Sequence, residues 1–118
     1  MKIVILDTDF ILNALENHID IENSIKTLCP YKVKIAIMDK TLNELENKIF
    51  SEIAKRIVTK FAIIKTKENK TVDDLIVDYA NKEKNIIVAT QDRDLKERLK
   101  KGKTELITIR QQKQVILV

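Results

Sequence analysis

A fully apolar, strand-like run that stops abruptly at clustered carboxylates occurs twice in this chain. Near the N-terminus Ile3, Val4, Ile5 and Leu6 lead into Asp7, Thr8 and Asp9; later Ile86, Ile87, Val88, Ala89 and Thr90 lead into Gln91, Asp92, Arg93 and Asp94. Unbroken apolar strands alternating with helices imply a parallel sheet covered on both faces. In such sheets ligands bind outside the carboxyl ends of the strands, so the two acid clusters are expected to converge on one site. Converging carboxylates bind hard cations.

The remaining pattern fills in that architecture. Strands are expected at about Lys2 to Leu6, Lys34 to Met38, Ala62 to Lys65, Ile86 to Thr90 and Glu105 to Ile109, with a further edge strand at Val115 to Val118. Helical patterns run from Asp9 to Leu15, Glu22 to Leu28, Thr71 to Lys84 and Asp92 to Lys101. From Asp39 to Phe61, Leu42, Leu45, Ile49, Ile53 and Ile57 recur at three- and four-residue spacing, which predicts one long amphipathic helix. Thr71 suits an N-cap, and Gly102 suits the position after a helix where φ is often positive. The expected fold is a three-layer α/β domain over residues 1–118, with a central parallel sheet of about five strands and helices on both faces.

Composition removes several chemistries. One glycine and one proline leave no room for a Gly-rich phosphate loop of the Walker or Rossmann kind. Cys29 is the only cysteine, expected as a buried structural thiol, and His18 is the only histidine, expected at the surface. Acids without histidine or thiolate partners point to Mg²⁺ or Mn²⁺ rather than Zn²⁺. No run reaches the ~18 apolar residues that span a bilayer, and the N-terminus enters a strand instead of a signal peptide, so a soluble cytoplasmic protein with no membrane partner is expected. The net charge of +4 permits contact with a polyanion without demanding it. Lys96, Arg98, Lys100, Lys101 and Lys103 form a basic stretch that reads equally as a solvated helix face or as a phosphate-backbone contact.

Each carboxylate has a bland alternative. Asp7 and Asp9 sit where a helix N-cap belongs, although Asp7 leaves a buried strand directly and would be costly to bury without a partner. Between Asp92 and Asp94 one acid suffices as a cap; the surplus one lies near the crevice, and Asp92, closer to the strand end, is the better candidate for it. On a helical wheel Asp73 borders the apolar arc defined by Val72, Leu75, Ile76, Tyr79 and Ala80, whereas Asp74 lies nearly opposite. The same wheel favours Glu46 over Glu44 in the long helix, yet Glu44 is ~3 Å closer to the helix start at 1.5 Å per residue. The residues alone leave that pair open.

Ile-Leu-Asp-Thr-Asp (5–9), Leu-Asn-Glu-Leu-Glu (42–46), Val-Asp-Asp-Leu-Ile (72–76) and Ala-Thr-Gln-Asp-Arg-Asp-Leu (89–95), in that order, resemble the motifs of PIN-domain ribonucleases across essentially the whole chain. The likeness is to small archaeal PIN proteins, similar both to VapC-type toxin ribonucleases and to PIN proteins of ribosomal RNA processing. The resemblance implies an acidic site at Asp7, Glu44, Asp73 and Asp92, choosing Glu44 against the wheel. It adds Asp94 as a further metal-ligating acid and Thr90 as a supporting hydroxyl. Asp9 stands where the family usually has Asn or Ser.

The expected activity is therefore Mg²⁺- or Mn²⁺-dependent endoribonuclease chemistry. Asp7, Asp73, Asp92 and Asp94 would serve as metal ligands, Glu44 would complete the catalytic set, and Arg93, Lys96, Lys100 and Arg110 would hold the RNA backbone. RNA is the expected substrate, an antitoxin protein the expected partner in a toxin role, and a homodimer the expected assembly. The alternative is a non-catalytic PIN module that binds RNA or a protein. A phosphoacceptor receiver domain is disfavoured because the third strand leads into Lys65 rather than an aspartate.

Overall fold

The computed structural model describes residues 1–46, 48, 51–111 and 113–118. The chain runs β1 (Lys2–Leu6), α1 (Thr8–Glu16), α2 (Ile21–Leu28), β2 (Val33–Met38), α3 (Asp39–Leu45), α4 (Ser51–Val58), β3 (Ala62–Ile64), α5 (Val72–Lys82), β4 (Ile86–Ala89), α6 (Arg93–Lys101), β5 (Glu105–Arg110) and β6 (Gln114–Leu117). The sheet order is β3-β2-β1-β4-β5-β6. The pairings are parallel except for β6, which returns antiparallel along β5. Beyond the central five, β6 is the edge strand expected at Val115 to Val118, and a short turn after β5 makes it antiparallel, since no crossover helix intervenes.

From β1 the chain winds outward to β2 and β3, then crosses back to β4 on the other side of β1. The crevice between the carboxyl ends of β1 and β4 is therefore the switch point where doubly wound sheets bind ligands. Receiver-type sheets are ordered 2-1-3-4-5 instead, which removes that rival. Leu6 pairs with Ala89 in register, so Asp7 and Thr90 leave the sheet side by side.

Strand side chains alternate between two aliphatic layers. Val4, Leu6, Ile35 and Ile37 pack with Phe10, Ile11, Ile25, Leu45 and Val58 on one face. Ile5, Met38 and Val88 pack with Val72, Ile76, Leu95 and Leu99 on the other. This period of two places α5 and α6 opposite α1, α2 and α4 and yields the three layers. Cys29 is buried, as expected, and burial pushes its thiol pKa up. Among the described residues no helix is long and apolar enough to cross a membrane.

Two local expectations are corrected. The single helix from Asp39 to Phe61 is two helices, α3 and α4, separated by a turn at Glu46 and a bend at Lys48. There the ladder switches to three-residue bonds, Lys48 N–H to Leu45 O at 3.3 Å and Ser51 N–H to Lys48 O at 3.2 Å. The break resets the helical phase: α4 buries Ala54 and Val58 and leaves Ile53 50% exposed, while Ile49 lies outside the described residues. A stripe at three- and four-residue spacing cannot reveal a break that falls between two of its own steps.

Gly102 has φ −88°, and the positive φ falls on Lys103 at 61°. A Cβ at Gly102 would lie 2.7 Å from Asn81 Oδ1, the end of a side chain that can move aside. His18 takes φ 57° at the exposed end of α1.

Candidate active site

A cavity of about 590 Å³ opens at the switch point. Its wall includes Asp7, Asp9, Glu44, Asp73 and Asp92, delivered by the ends of β1 and β4 and by α1, α3 and α5. Thr8, Leu12 and Lys48 complete it.

Asp7 is only 3% exposed and has both carboxylate oxygens engaged. Oδ1 accepts the Thr8 N–H at 2.9 Å, capping α1, and Oδ2 accepts the Thr90 hydroxyl at 2.8 Å. Burial, followed by the charge of Asp9, pushes its pKa up to about 8 against the pull of those two hydrogen bonds. Thr90, itself fully buried, also accepts the Asp92 N–H at 3.0 Å. Asp92 in turn caps α6 by accepting the Leu95 N–H on Oδ1 at 3.0 Å. Capping and facing the cavity are thus not exclusive for either residue, because a carboxylate has lone pairs for both. Asp7 is the cap, and Asp9 is an exposed wall residue.

Asp73 is half-buried, and its pKa is raised by burial first and then by Asp92, Asp9 and Glu44, with Arg98 opposing. That like-charge field indicates that the acids face one another across the cavity. Asp74 turns away and pairs with Arg98 at 2.9 Å, as the helical wheel predicts. Glu44 Oε1 accepts the Thr8 hydroxyl, whereas Glu46 is exposed and reaches Lys55 at 3.6 Å. The wheel misplaces this pair because it assumes one helix; much of the apolar arc that drew Glu46 inward belongs to residues beyond the break.

Other expected site residues lie elsewhere. Asp94 is exposed in the first turn of α6 and does not line the cavity, since α6 turns it outward one residue into the helix. Arg93, Lys100 and Arg110 are exposed. Lys96 is not part of a solvated face: its ammonium donates to the Thr108 hydroxyl at 2.8 Å, which donates to Gln91 Oε1 at 2.7 Å. Burial, then Lys100, lowers its pKa, while Asp9 and Asp92 oppose that shift.

Sequence reasoning missed Thr8, Lys48 and Asp39. Thr8 stands inside the first acid motif, and Lys48 follows Glu44 at a four-residue helical spacing, so both had a faint signal. Asp39 had none, because its partner is 27 residues away: it accepts the Thr66 hydroxyl at 2.7 Å and the Thr66 N–H at 3.0 Å. Those bonds, the backbone one foremost, lower its pKa.

The donor set is all oxygen, which suits a hard cation, and a buried carboxylate among other acids calls for positive charge. As placed, no group of three acid, histidine or cysteine side chains among the described residues is close enough to share an ion.

Two proteins to which this chain is similar are nucleases by name. The profile of the family described as PIN like domain matches residues 4–112. The chain is 29% identical over 120 aligned positions to the protein named ribonuclease VapC4 of Methanocaldococcus jannaschii, covering 93% of this chain and 92% of that protein. It superimposes on the structure of the PIN domain endonuclease Utp24 with a TM-score of 0.87 and 30% identity, covering 98% of this chain and 90% of the other. The chain belongs to the PIN-like domain family. Its three-layer architecture is the PIN fold.

Proposed function

We propose that this protein is a divalent-metal-dependent endoribonuclease whose active site is the acid cavity at the β1–β4 switch point. The observation that carries the proposal is Asp7: a carboxylate 3% exposed, with both oxygens fixed and Asp9 beside it, is an electrostatic cost that a cation at this place would offset. The nuclease names of its relatives support the reading.

Asp7, Asp73 and Asp92 would hold Mg²⁺ or Mn²⁺, which when bound supplies charge neutralisation at the scissile phosphate and a more acidic water. Asp7 needs no reorganisation, since Thr8 and Thr90 hold it. The half-buried Asp73 has the freedom to rotate toward the ion. Glu44, oriented by the Thr8 hydroxyl, would accept a proton from an attacking water. Lys48, in the same wall, offers a cation to a non-bridging phosphate oxygen. Arg93, Lys100 and Arg110 would contact the RNA backbone beyond the cavity.

RNA is the proposed substrate, the cytoplasm the proposed compartment and an antitoxin the proposed partner in a toxin role. A homodimer is the proposed assembly.

One observation favours the second reading, a module that binds RNA without cutting it: the acids do not already converge within ligating range. Gel analysis of labelled single-stranded RNA with the purified protein in Mn²⁺ or Mg²⁺ separates the two. The nuclease yields shorter products, and the binding module yields only a shifted band.

A further inference from the structure

A second concavity of about 270 Å³ lies at the carboxyl end of β3, between α5 and the loop that connects them. Its apolar floor is Ile64, Leu75 and Tyr79, and Lys65, Lys67 and Lys82 stand on its rim. Two acids also line it. Asp78 is already paired with Lys70 at 2.6 Å, which leaves Glu68 facing three lysines that have no ion-pair partner among the described residues.

The loop is held in place before any ligand arrives. Asp39, the first residue of α3, takes both hydrogen bonds from Thr66, and the Lys40 ammonium donates to the Glu68 carbonyl. The helix that delivers Glu44 thus fixes the loop that leads into Asp73. Tyr79 lies on α5 six residues beyond Asp73, about 9 Å along the axis at 1.5 Å per residue, and its ring rests against the α5–α6 core layer while lining the cavity. The other described aromatics are spent elsewhere. Phe10 and Phe61 are buried, and Tyr31 sits under Lys2 at the amino ends of the strands.

An aromatic face flanked by cations, beside a site for phosphodiester chemistry, is how single-stranded nucleic acid is held without base-edge readout. We propose that this concavity is a nucleotide subsite, in which a base of single-stranded RNA stacks on Tyr79 over Ile64 and Leu75 while Lys65, Lys67 and Lys82 face its phosphates. The inference rests on the ribonuclease reading and deepens it, assigning a substrate contact outside the acid cavity. It also makes the preferred substrate unpaired, since a base in a duplex cannot reach the ring.

The test is fluorescence anisotropy in EDTA at low salt, with a labelled single-stranded oligoadenylate and an abasic oligonucleotide carrying the same number of phosphates. Tyr79→Leu keeps the packing and removes the π face; Tyr79→Phe keeps both. Tyr79→Leu is expected to weaken oligoadenylate binding by roughly tenfold or more, Tyr79→Phe to leave it near wild type, and the abasic strand to bind weakly and equally to all three proteins. Equal oligoadenylate affinity for wild type and Tyr79→Leu, or the same loss with the abasic strand, overturns the subsite. Cleavage in Mn²⁺ alongside Tyr79-independent binding would remove the subsite and keep the nuclease, whereas Tyr79-dependent base binding without cleavage would do the reverse.

Discussion

The Thr90 hydroxyl donates to Asp7 Oδ2 at 2.8 Å across the junction of β4 and β1. Thr90 Oγ1 also accepts the Asp92 N–H at 3.0 Å, so one side chain fixes two acids from separate motifs. Thr90→Val should cost roughly 1–3 kcal/mol in urea unfolding, because a buried carboxylate oxygen and an N–H both lose their partner. It should also raise the Asp7 pKa further and slow cleavage. Thr90→Ser should restore most of each.

The two acid pairs give an internal control. Asp73→Asn and Glu44→Gln, both in the cavity wall, should abolish or strongly reduce cleavage. Asp74→Asn and Glu46→Gln should largely spare it, since those side chains point to Arg98 and Lys55. Cleavage rates at saturating RNA and Mn²⁺, with circular dichroism to confirm folding, check all four. An inactive but folded Glu46→Gln would mean that α3 is misassigned.

Stability without metal should depend on pH with a definite sign. Asp7 has a folded pKa near 8, above its unfolded value, so the native state holds that proton more tightly. Its contribution is complete below the ordinary carboxylate range of about 4 and is lost as pH rises through about 8, a change on the order of 5 kcal/mol. In EDTA the thermal midpoint should fall between pH 5 and 8. Asp7→Asn should flatten that fall, and Mn²⁺ at pH 8 should reverse it for wild type only.

The lysines of α6 should separate into two kinds. Lys96→Ala removes a partly buried ammonium held by Thr108 and should destabilise the fold by roughly 1 kcal/mol. Arg93→Ala with Lys100→Ala alters exposed side chains only; it should leave stability unchanged and flatten the salt dependence of RNA binding by roughly one log unit per lost phosphate contact. Unchanged affinity and salt slope would assign this face to solvent.

The fold was readable because the apolar runs at β1 and β4 are uninterrupted and because each gives way within a few residues to polar and acidic positions where a helix begins. Asp73 over Asp74 was readable for a related reason: α5 is one unbroken helix, so its wheel is valid. Glu44 over Glu46 was readable only through the family motif and not from the wheel, because the α3–α4 break leaves hydrophobic spacing intact while changing which way each side chain points. The second function of Asp7 and Asp92 as caps was hidden by treating a capping carboxylate as used up. Asp39 was invisible because its hydrogen bonds to Thr66 are a tertiary contact that no local pattern encodes.

The most direct measurement is single-turnover cleavage of a labelled single-stranded RNA by the wild-type protein in Mn²⁺, repeated after excess EDTA and with Asp73→Asn. Cleavage is expected in Mn²⁺, none in EDTA, recovery when Mn²⁺ is restored, and none with Asp73→Asn. Cleavage that persists undiminished in EDTA, or that Asp73→Asn performs at the wild-type rate, would contradict a metal-dependent nuclease site that includes Asp73.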